Sequence, residues 1–462
     1  MITIPGMAEV PIAVLGLARS GLTAAQSLIE SGAQVMAWDD APERRQAAAA
    51  AGVPIVDLET ADWGRVRTLV LSPGIPHSFP KPHPIAAKAL AAKAALVSDI
   101  DLLGRARPDG RYLGVTGTNG KSTTTTLIGH LFRQHDLRSE VGGNVGVPVL
   151  SLAALDVDGW YVLEMSSYQL ELTHSIDFDI AVLLNVTPDH LDRHGGFEGY
   201  VAAKRRIFRG QGGEATAIVA LDDETSRKIY DDLIQHGRQS VVPVSASGPA
   251  PGGVYVEDNW LIDDMDGWSR PMLDLAKLPN LPGQHNQQNA VAAYAAAKAA
   301  GLVAPRIAAS LSLYPGLAHR QERIAVIGGV AFINDSKATN ADAAARALAC
   351  YEAIYWIAGG KPKEGGIASL EGYFPRIVHA FLIGEAARAF ADTLEGRVPY
   401  TLSGDLESAV GEASSMAGSE HRPGAVVLLS PACASFDQFA DFEARGEEFR
   451  RLVKQLAAES MQ

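Results

Sequence analysis

The stretch that decides the fold runs from Arg111 to Leu131 and reads RYLGVTGTNGKSTTTTLIGHL. An apolar run rich in strand-forming residues leads into a glycine-rich segment, and apolar residues at helical spacing follow it. This order of strand, loop and helix is typical of a phosphate-binding loop, in which backbone N–H groups surround phosphate oxygens at a helix N-terminus. The predicted nucleotide-binding residues of the loop are Gly117, Thr118, Asn119, Gly120, Lys121, Ser122 and Thr123.

Two side chains of this loop have defined chemistry. Lys121 can neutralise charge on the β- and γ-phosphates, and the Ser122 hydroxyl can ligate Mg²⁺. The segment differs from the general motif at Val115, where that motif has glycine. The alternative interpretation is a glycine turn that precedes a helix without binding phosphate. The agreement between motif and context favours nucleotide binding.

Length and charge limit the possible classes of protein. A chain of 462 residues suits two to four domains, and a net charge of −13 argues against a nucleic-acid-binding surface. Cys350 and Cys433 are too few and too far apart for a disulfide scaffold or a zinc site. The sequence shows no basic leader and no long uninterrupted apolar helix. We therefore expect a cytoplasmic protein with neither a membrane segment nor a nucleic-acid partner.

The first region begins with a β-α-β pattern. A strand at 11–15 leads into the glycine turn at 16–21 and a helix, and a second strand ends at Asp39 and Asp40. This is a variant of the dinucleotide fingerprint, with an acidic residue placed to bind a ribose hydroxyl. An NAD-dependent dehydrogenase is therefore an alternative, although many such domains bind no dinucleotide.

A further strand in this region, Thr68 to Leu71, ends in a rigid Ser-Pro-Gly-Ile-Pro loop at 72–76. Open α/β sheets bind ligands at the carboxyl ends of their strands. The first region is thus expected to hold a nucleotide-like group.

The central region places polar side chains beside the phosphate-binding loop. Predicted strands at 160–163 and 180–184 bring Glu164 and His190 to the same sheet edge, where they could serve Mg²⁺. His190 alone would more commonly be a histidine with a structural role. The helix YVAAKRRIF at 200–208 resembles a solvated basic face, and Asn286 and Asn289 share a helix face that could contact a base or simply begin the helix.

The last region again alternates strands and helices. Predicted strands at 330–334, 353–358 and 426–429 each end in a polar or cationic loop. These loops should meet at one sheet edge. Lysines and small residues near helix N-termini favour an anionic ligand with more than one carboxylate.

Several motifs together resemble the Mur ligases. They are GTNGKST, GGNVG at 142–146, EMSSYQLE at 164–171, NVTPDHLDRH at 185–194, AAKRRIF, GQHNQQN, HRQE at 319–322, NDSKATN and SPACASFDQF. The resemblance runs through all three regions in order. It implies an α/β enzyme of three domains: a Rossmann-like UDP-binding domain (1–99), a central P-loop ATPase-like domain with a mostly parallel sheet (100–315) and a C-terminal Rossmann-like domain that binds the amino acid (316–462).

The resemblance also implies a reaction. The expected activity is ATP-dependent addition of D-glutamate to UDP-N-acetylmuramoyl-L-alanine through an acyl phosphate, giving ADP and phosphate, in peptidoglycan precursor synthesis. Another Mur ligase or a folylpolyglutamate synthetase-like enzyme remains an alternative. The implied cofactors are ATP, two Mg²⁺ ions and a CO2-derived carbamate on Lys204. The implied partners are these small molecules, and we expect a monomer.

The resemblance assigns roles residue by residue. The catalytic group is Lys121, Glu164, His190, Lys204 and Asn144, and the metal group is Ser122, Glu164, His190 and carbamylated Lys204. The further ATP contacts are Asn286, Asn289, Arg320 and Asp335. The UDP-substrate group is Arg19, Ser20, Asp39, Asp40, Ser72 and Gly74, and the glutamate group is Lys337, Thr339, Lys363, Ser435, Phe436 and Phe442.

Two positions depart from the family pattern. Phe436 stands where relatives can carry leucine, which could reshape the glutamate pocket. Asp39-Asp40-Ala41 lacks the basic residue that some relatives use to meet the UDP pyrophosphate. We expect Arg19, in the first glycine turn, to supply that charge.

Overall fold

The computed structural model of the chain describes residues 1–278, 280–362 and 365–460. These residues form three β-sheets with helices packed on them. The chain divides into two compact units. Unit 1 comprises Met1–Ala276 and Gln284–Leu313, and unit 2 comprises Lys277–Gly283 and Tyr314–Gln462. In the described residues, no helix is long and apolar enough to cross a membrane.

The first sheet of unit 1 is wholly parallel, with the order β2-β1-β3-β4. The central strand β1 therefore lies between the strands that end at Trp38 and at Leu71. Its elements are β1 (Pro11–Leu15), α1 (Arg19–Glu30), β2 (Gln34–Trp38), α2 (Pro42–Ala50), β3 (Thr68–Leu71), α3 (Pro84–Ala91) and β4 (Ala95–Val97), followed by α4 (Asp99–Ala106).

The second sheet of unit 1 has the order β13-β12-β11-β10-β9-β8-β5-β7-β6 and is parallel from β11 to β6. Its strands are β5 (Arg111–Thr116), β6 (Ser139–Gly143), β7 (Trp160–Glu164), β8 (Ile180–Leu183), β9 (Thr216–Ala220), β10 (Ser240–Ser245), β11 (Val254–Glu257), β12 (Trp260–Asp263) and β13 (Arg270–Asp274). Its helices are α5 (Lys121–Gln134), α6 (Ser167–Glu171), α7 (Leu191–His194), α8 (Phe197–Arg205), α9 (Glu224–His236), α10 (Gln284–Ala299) and α11 (Ala304–Leu311).

One hydrophobic core extends through both sheets of unit 1. It joins Val14 and Leu28 of the first sheet's layer to Leu163 and Leu183 of the second. The alanine-rich helix α10 is buried along most of its length and packs on α5, because small side chains let two helices approach closely. This packing holds the helix that follows the phosphate-binding loop.

Unit 2 contains the third sheet, with the order β14-β15-β19-β16-β17-β18; only the β14-β15 pair is antiparallel. Its elements are β14 (Glu322–Ile327), β15 (Val330–Asn334), α12 (Ala341–Leu348), β16 (Ala353–Gly359), β17 (Ile377–Ile383), α13 (Ala387–Leu394), β18 (Tyr400–Gly404), α14 (Leu406–Glu420), β19 (Ala425–Leu429) and α15 (Phe442–Glu459). Helices cover both faces, which explains the continuous apolar runs of β16 and β19.

The expected α/β class with mostly parallel sheets is confirmed. Each predicted domain, 1–99, 100–315 and 316–462, carries one sheet, and the limits of these domains stay predictions. One element differs in form: the helix predicted at 200–208 is an α-helix only to Arg205, and a 3-10 turn follows at Arg206–Phe208.

A core substitution tests the packing of unit 2. Trp356 is fully buried in β16 and donates its Nε1 hydrogen to Ser430 O over 2.8 Å. Trp356→Ala should cost about 3–5 kcal/mol, because it leaves a cavity and an unsatisfied carbonyl. Hydrogen exchange of β16 and β19 peptides measures this loss locally. The control is Trp268→Ala, whose side chain is 73% exposed and should change stability by less than about 0.5 kcal/mol. Equal exchange rates in the two variants would contradict the packing described.

Candidate active site

The phosphate-binding loop has a fixed backbone. Gly120 adopts φ +85°, and a Cβ at that position would lie 2.3 Å from Asn289 Oδ1. The backbone N–H of Thr118 donates to Asn185 O, and that of Asn119 donates to Asn185 Oδ1, both over 2.8 Å. Asn185 follows β8, the strand beside β5, so the order of the strands places these two hydrogen-bond acceptors next to the loop. Helix α5 begins at Lys121, directly after the loop.

Two lysines donate to the same carbonyl oxygen of this loop. Lys121 Nζ lies 2.9 Å and Lys204 Nζ 2.7 Å from Gly117 O. Lys204 is 1% exposed, so the solvated basic face that charge pattern alone favours is wrong for this residue, and the role implied by the resemblance requires such burial; its neighbour Arg205 is exposed. Burial, reinforced by the charge of Lys121, holds the pKa of the Lys204 ammonium well below its usual value.

Glu164 lies beside the loop because β7 pairs with β5 and sets Glu164 opposite Val115. Asn144 Nδ2 donates to Glu164 Oε1 over 2.9 Å. Glu164 is 2% exposed, and its Oε2 has no hydrogen-bond partner among the described residues. A buried carboxylate oxygen without a donor is suited to a cation.

His190 is less tightly placed. It adopts φ +50°, its side chain is exposed, and its Nε2 lies 3.5 Å from Asp189 Oδ2. Its ring lies 5.2 Å from the ring of Tyr168. In the described part of the chain, no three His, Cys, Asp or Glu side chains group closely enough to hold a metal by themselves. A Mg²⁺ ion here would therefore need oxygens from a bound phosphate, as it commonly does.

The sequence interpretation missed the role of His194 in joining these elements. His194 Nδ1 lies 3.0 Å from Glu171 Oε1, and its Nε2 lies 2.9 Å from Ser167 Oγ. The ring stacks on Tyr168 at 5.3 Å and also contacts Tyr200, whose ring lies 4.7 Å from Lys204 Nζ. His194 therefore connects α7 to α6 and α8.

Glu171 also links the second sheet of unit 1 to the loop that follows β3. Its Oε2 lies 3.7 Å from His77 Nε2 and 3.8 Å from Arg193 Nη1. Burial raises the pKa of Glu171, but the hydrogen bond from His194 and the charges of His194, His77 and Arg193 lower it by more. The carboxylate therefore stays ionised in this cluster. Glu171 and His194 both occur in motifs quoted above, yet their separation in the sequence gives no sign that they are in contact.

Asn286 and Asn289 are buried on the first turns of α10. Asn289 Nδ2 donates to Asn286 Oδ1 over 3.0 Å, and Thr124 Oγ1 donates to Asn289 Oδ1 over 3.1 Å. The intervening Gln288 accepts from Asn185 Nδ2 and donates to Asp222 Oδ2. These carboxamides thus brace the phosphate-binding loop and α5, and their contact with ATP stays a prediction.

At the edge of the first sheet, Asp39 is buried and organises the glycine turn. Its Oδ2 accepts from Leu17 N over 2.6 Å and its Oδ1 from Ala41 N over 2.9 Å. Ser72 Oγ donates to Gly16 O, which draws the loop after β3 against the same turn. Ser20 lies in the first turn of α1, directly after the glycine turn, and Gly74 lies on the loop after β3.

Arg19 and Asp40 are exposed, and the side chain of each makes a contact with another loop. Arg19 Nη2 donates to Gly146 O over 2.9 Å, and Asp40 Oδ2 lies 2.9 Å from His83 Nε2. Two other basic side chains contact Asp39. Arg44 Nη1 lies 3.6 Å from Asp39 Oδ2, and Arg45 Nη1 donates to Asp39 O over 2.6 Å. Both arginines belong to the segment PERRQ, with which α2 begins two residues after Asp40. The sequence therefore already showed basic side chains close to the acidic pair.

In unit 2, adjacency of β15, β19 and β16 brings their following loops to one edge, as the sequence predicted. Asp335 is buried there: Ser430 Oγ donates to its Oδ2 and Gln321 N to its Oδ1. Burial raises the pKa of Asp335 to about 7, against the opposing effects of these hydrogen bonds and the charge of Arg320. Arg320 is half-buried in the turn before β14.

The predicted glutamate residues that the structure describes lie after β15, after β19 and at the start of α15. Lys337 Nζ lies 5.1 Å from the ring of Phe442, and Ser435 is buried. Thr339 is half-buried, and Phe436 has 66% of its side chain exposed. Lys363 lies outside the described residues.

Comparison with known proteins agrees with this arrangement. A family model described as the Mur ligase middle domain matches residues 115–297. The UDP-N-acetylmuramoylalanine–D-glutamate ligase of Rhodospirillum rubrum is 53% identical over 96% of this chain and 94% of its own length. The enzyme of that name from Paramagnetospirillum magneticum is 52% identical over 98% of both chains.

Solved structures share the fold at low sequence identity. The UDP-N-acetylmuramate-alanine ligase MurC of Thermotoga maritima is 15% identical with a TM-score of 0.59, covering 97% of this chain and 99% of its own. The MurF ligase of the same organism, in complex with ADP, is 16% identical with a TM-score of 0.57, covering 98% and 97%.

The chain belongs to the Mur ligase family. Within that family, the two relatives quoted at about half identity are both D-glutamate ligases, and nearly their whole length is matched. Membership of this family removes the dehydrogenase alternative.

A glycine substitution tests the geometry of the loop. Gly120→Ala should raise the KM for ATP about tenfold or more, because the new Cβ would collide with Asn289 Oδ1 and the positive φ disfavours alanine. Steady-state kinetics with varied ATP measures the change. Gly52→Ala is the matched control: its φ is +81°, and nothing lies within 4 Å of the added Cβ. A KM equal to that of the control would show that the loop tolerates a side chain.

Proposed function

We propose that this chain joins D-glutamate to the alanine carboxyl group of UDP-N-acetylmuramoyl-L-alanine, with ATP converted to ADP and phosphate, in peptidoglycan precursor synthesis. The observation that carries the proposal is the convergence of Lys121, Lys204 and Glu164 on the phosphate-binding loop in a chain matched over its length by D-glutamate ligases. The fold alone would not choose among amide ligases.

The first step transfers the γ-phosphoryl group to the substrate carboxylate. A carboxylate oxygen attacks the γ-phosphorus, the bond to the β-phosphate oxygen breaks, and an acyl phosphate and ADP result. Phosphoryl transfer needs positioning and neutralisation of charge more than a protein nucleophile. The loop N–H groups would hold the phosphates, and Lys121, which now donates to Gly117 O and Thr118 O, would turn to the β- and γ-phosphates.

Mg²⁺ fits the residues beside the loop. Ser122, Glu164, His190 and a carbamate on Lys204 would hold the two expected ions together with phosphate oxygens, and the bound ions would neutralise charge on the transferred group. The buried Glu164 Oε2, which lacks a hydrogen-bond donor among the described residues, is the strongest sign of such a ligand. Asn144 fixes the other oxygen of this carboxylate.

A carbamate on Lys204 would resolve the crowding of positive charge at Gly117 O. Carbamylation requires a neutral amine, and burial beside Lys121 favours that form. The amine nitrogen attacks CO2 and loses a proton, so a cation is replaced by an anion able to bind metal.

In the second step, the amine of D-glutamate attacks the acyl carbon and phosphate leaves. The amine loses a proton as the amide forms. Lys337 and the predicted contact Lys363 would meet the two carboxylates of the amino acid, with Thr339, Ser435, Phe436 and Phe442 completing the pocket. Arg320 and Asp335 remain proposed ATP contacts.

The uridine diphosphate group would bind at the edge of the first sheet. Asp39, Asp40, Ser72 and Gly74 lie on the loops there, and Ser20 lies in the first turn of α1. Arg19 remains the proposed pyrophosphate contact, and Arg44 and Arg45 add positive charge close to Asp39. We further propose that the enzyme works as a monomer in the cytoplasm, a reducing compartment that suits two cysteines, Cys350 and Cys433, with no disulfide between them.

A substrate comparison tests the proposed reaction. Phosphate release is measured with ATP, Mg²⁺ and UDP-N-acetylmuramoyl-L-alanine in the presence of D-glutamate, L-glutamate or neither. Release should depend on D-glutamate, and Lys121→Met should lower kcat by about 100- to 1,000-fold because it removes charge from the transition state. Dependence on L-glutamate would refute the stereochemistry alone, and no release with either would refute the assigned reaction.

A second experiment tests the carbamate. Wild-type protein in ¹³C-bicarbonate should give a carbamate NMR signal that Lys204→Arg abolishes, and kcat of this variant should fall about 100-fold or more. The signal should weaken as pH falls through the lowered pKa of Lys204, because a protonated amine cannot attack CO2. Arg205→Gln, at the exposed neighbour, is the control. A fully active Lys204→Arg enzyme would exclude a required carbamate.

A further inference from the structure

Unit 2 buries an arginine beneath the predicted amino-acid pocket. Arg445 is 1% exposed and lies in the first turns of α15. Its Nε donates to Ser336 Oγ over 2.9 Å, and its Nη2 donates to Ser336 O over 2.8 Å and Cys433 O over 3.1 Å. A longer contact of 3.4 Å joins Nη1 to Ala434 O. The planar guanidinium therefore holds two separate loops in one fixed geometry.

The buried charge has no ion-pair partner among the described residues. Arg450 on the same helix differs in this respect, because its Nη2 lies 2.7 and 2.8 Å from the two carboxylate oxygens of Glu322. Burial lowers the pKa of Arg445 to about 10, so the side chain is still charged at neutral pH. The charge of Asp437 acts on the guanidinium without forming an ion pair, so a buried cation bonded to neutral acceptors leaves positive potential that can attract a further anion.

The two loops held by Arg445 are those that carry predicted glutamate contacts. Ser336 precedes Lys337, and Ala434 precedes Ser435. The beginning of α15 is fastened to the first loop at further points: Ser336 Oγ donates to Phe442 O, and Asn334 Nδ2 donates to Gly446 O. Those bonds hold the first loop to α15, and the guanidinium adds the link to the second loop, so displacing it would free the Ser435 loop from the Lys337 loop.

We propose that Arg445 is a positioning residue for the acceptor amino acid. It sets the spacing of the Lys337 and Ser435 loops and supplies positive charge behind them, which together select a dicarboxylic amino acid. This inference rests on the function proposed above. A purely structural arginine would affect folding stability without acting on one substrate in particular.

Steady-state kinetics on the full chain tests this role, with each of the three substrates varied in turn. Arg445→Lys keeps the charge but loses the planar set of N–H donors, and it should raise the KM for D-glutamate about tenfold. Arg445→Gln loses both and should raise it about 100-fold. The KM values for ATP and for the UDP substrate should stay within about twofold of wild type. The control is Arg451→Ala on the same helix, whose exposed side chain pairs with Glu448.

Chemical rescue separates a positioning role from a loss of folding. Arg445→Ala should regain a lower KM for D-glutamate in millimolar guanidinium, but not in equal urea, because only the cation restores the charge and the donors. Far-UV circular dichroism and the thermal midpoint report folding of each variant. Folded variants with an unchanged KM for D-glutamate, or with equal rises in all three KM values, would overturn the inference.

The wild-type reaction distinguishes this failure from that of the proposed function. A wild-type enzyme that releases phosphate with D-glutamate, beside variants of unchanged KM, overturns only the role of Arg445. A wild-type enzyme inactive with D-glutamate overturns both.

Discussion

The active site depends on one carbonyl oxygen, that of Gly117, which accepts hydrogen bonds from both Lys121 and Lys204. Two ammonium groups at one acceptor would repel each other, so burial and the charge of Lys121 together lower the pKa of Lys204 and favour its neutral amine. The sheet order β8-β5-β7 creates the arrangement by surrounding the loop with strands whose ends carry Asn185 and Glu164. The site is thus suited to negative charge, which the proposed triphosphate and carbamate would supply.

Local signals gave the sequence interpretation most of its success. Strands such as Pro11–Leu15 and Thr68–Leu71 have the limits predicted from their apolar runs, and the phosphate-binding loop follows β5 and opens α5 as its motif indicates. The carboxyl ends of parallel strands lie at one edge of a sheet, and this rule correctly predicted that the ends of β15, β19 and β16 lie together. These features depend on neighbouring residues or on general topology. The roles assigned to individual site residues rest on family resemblance and stay predictions.

Non-local contacts and buried charges could not be predicted in this way. The pairing of His194 with Glu171 and Ser167 joins segments from different strands, and no spacing rule links them. Charge pattern cannot tell buried Lys204 from exposed Arg205. The same holds along α15, an amphipathic helix by sequence, in which Arg445 is buried and Arg451 is exposed. Desolvation depends on what packs above each side chain, and that is fixed only by the tertiary fold.

The strand order of unit 2 determines when this part of the chain can fold during translation. β19, the last strand of the chain, lies between β15 and β16, which are therefore not paired with each other. Until that strand leaves the ribosome, both earlier strands present unpaired edges, which are prone to wrong pairing. Unit 2 can close its sheet only near the end of translation. Most of unit 1 is synthesised earlier and can fold first.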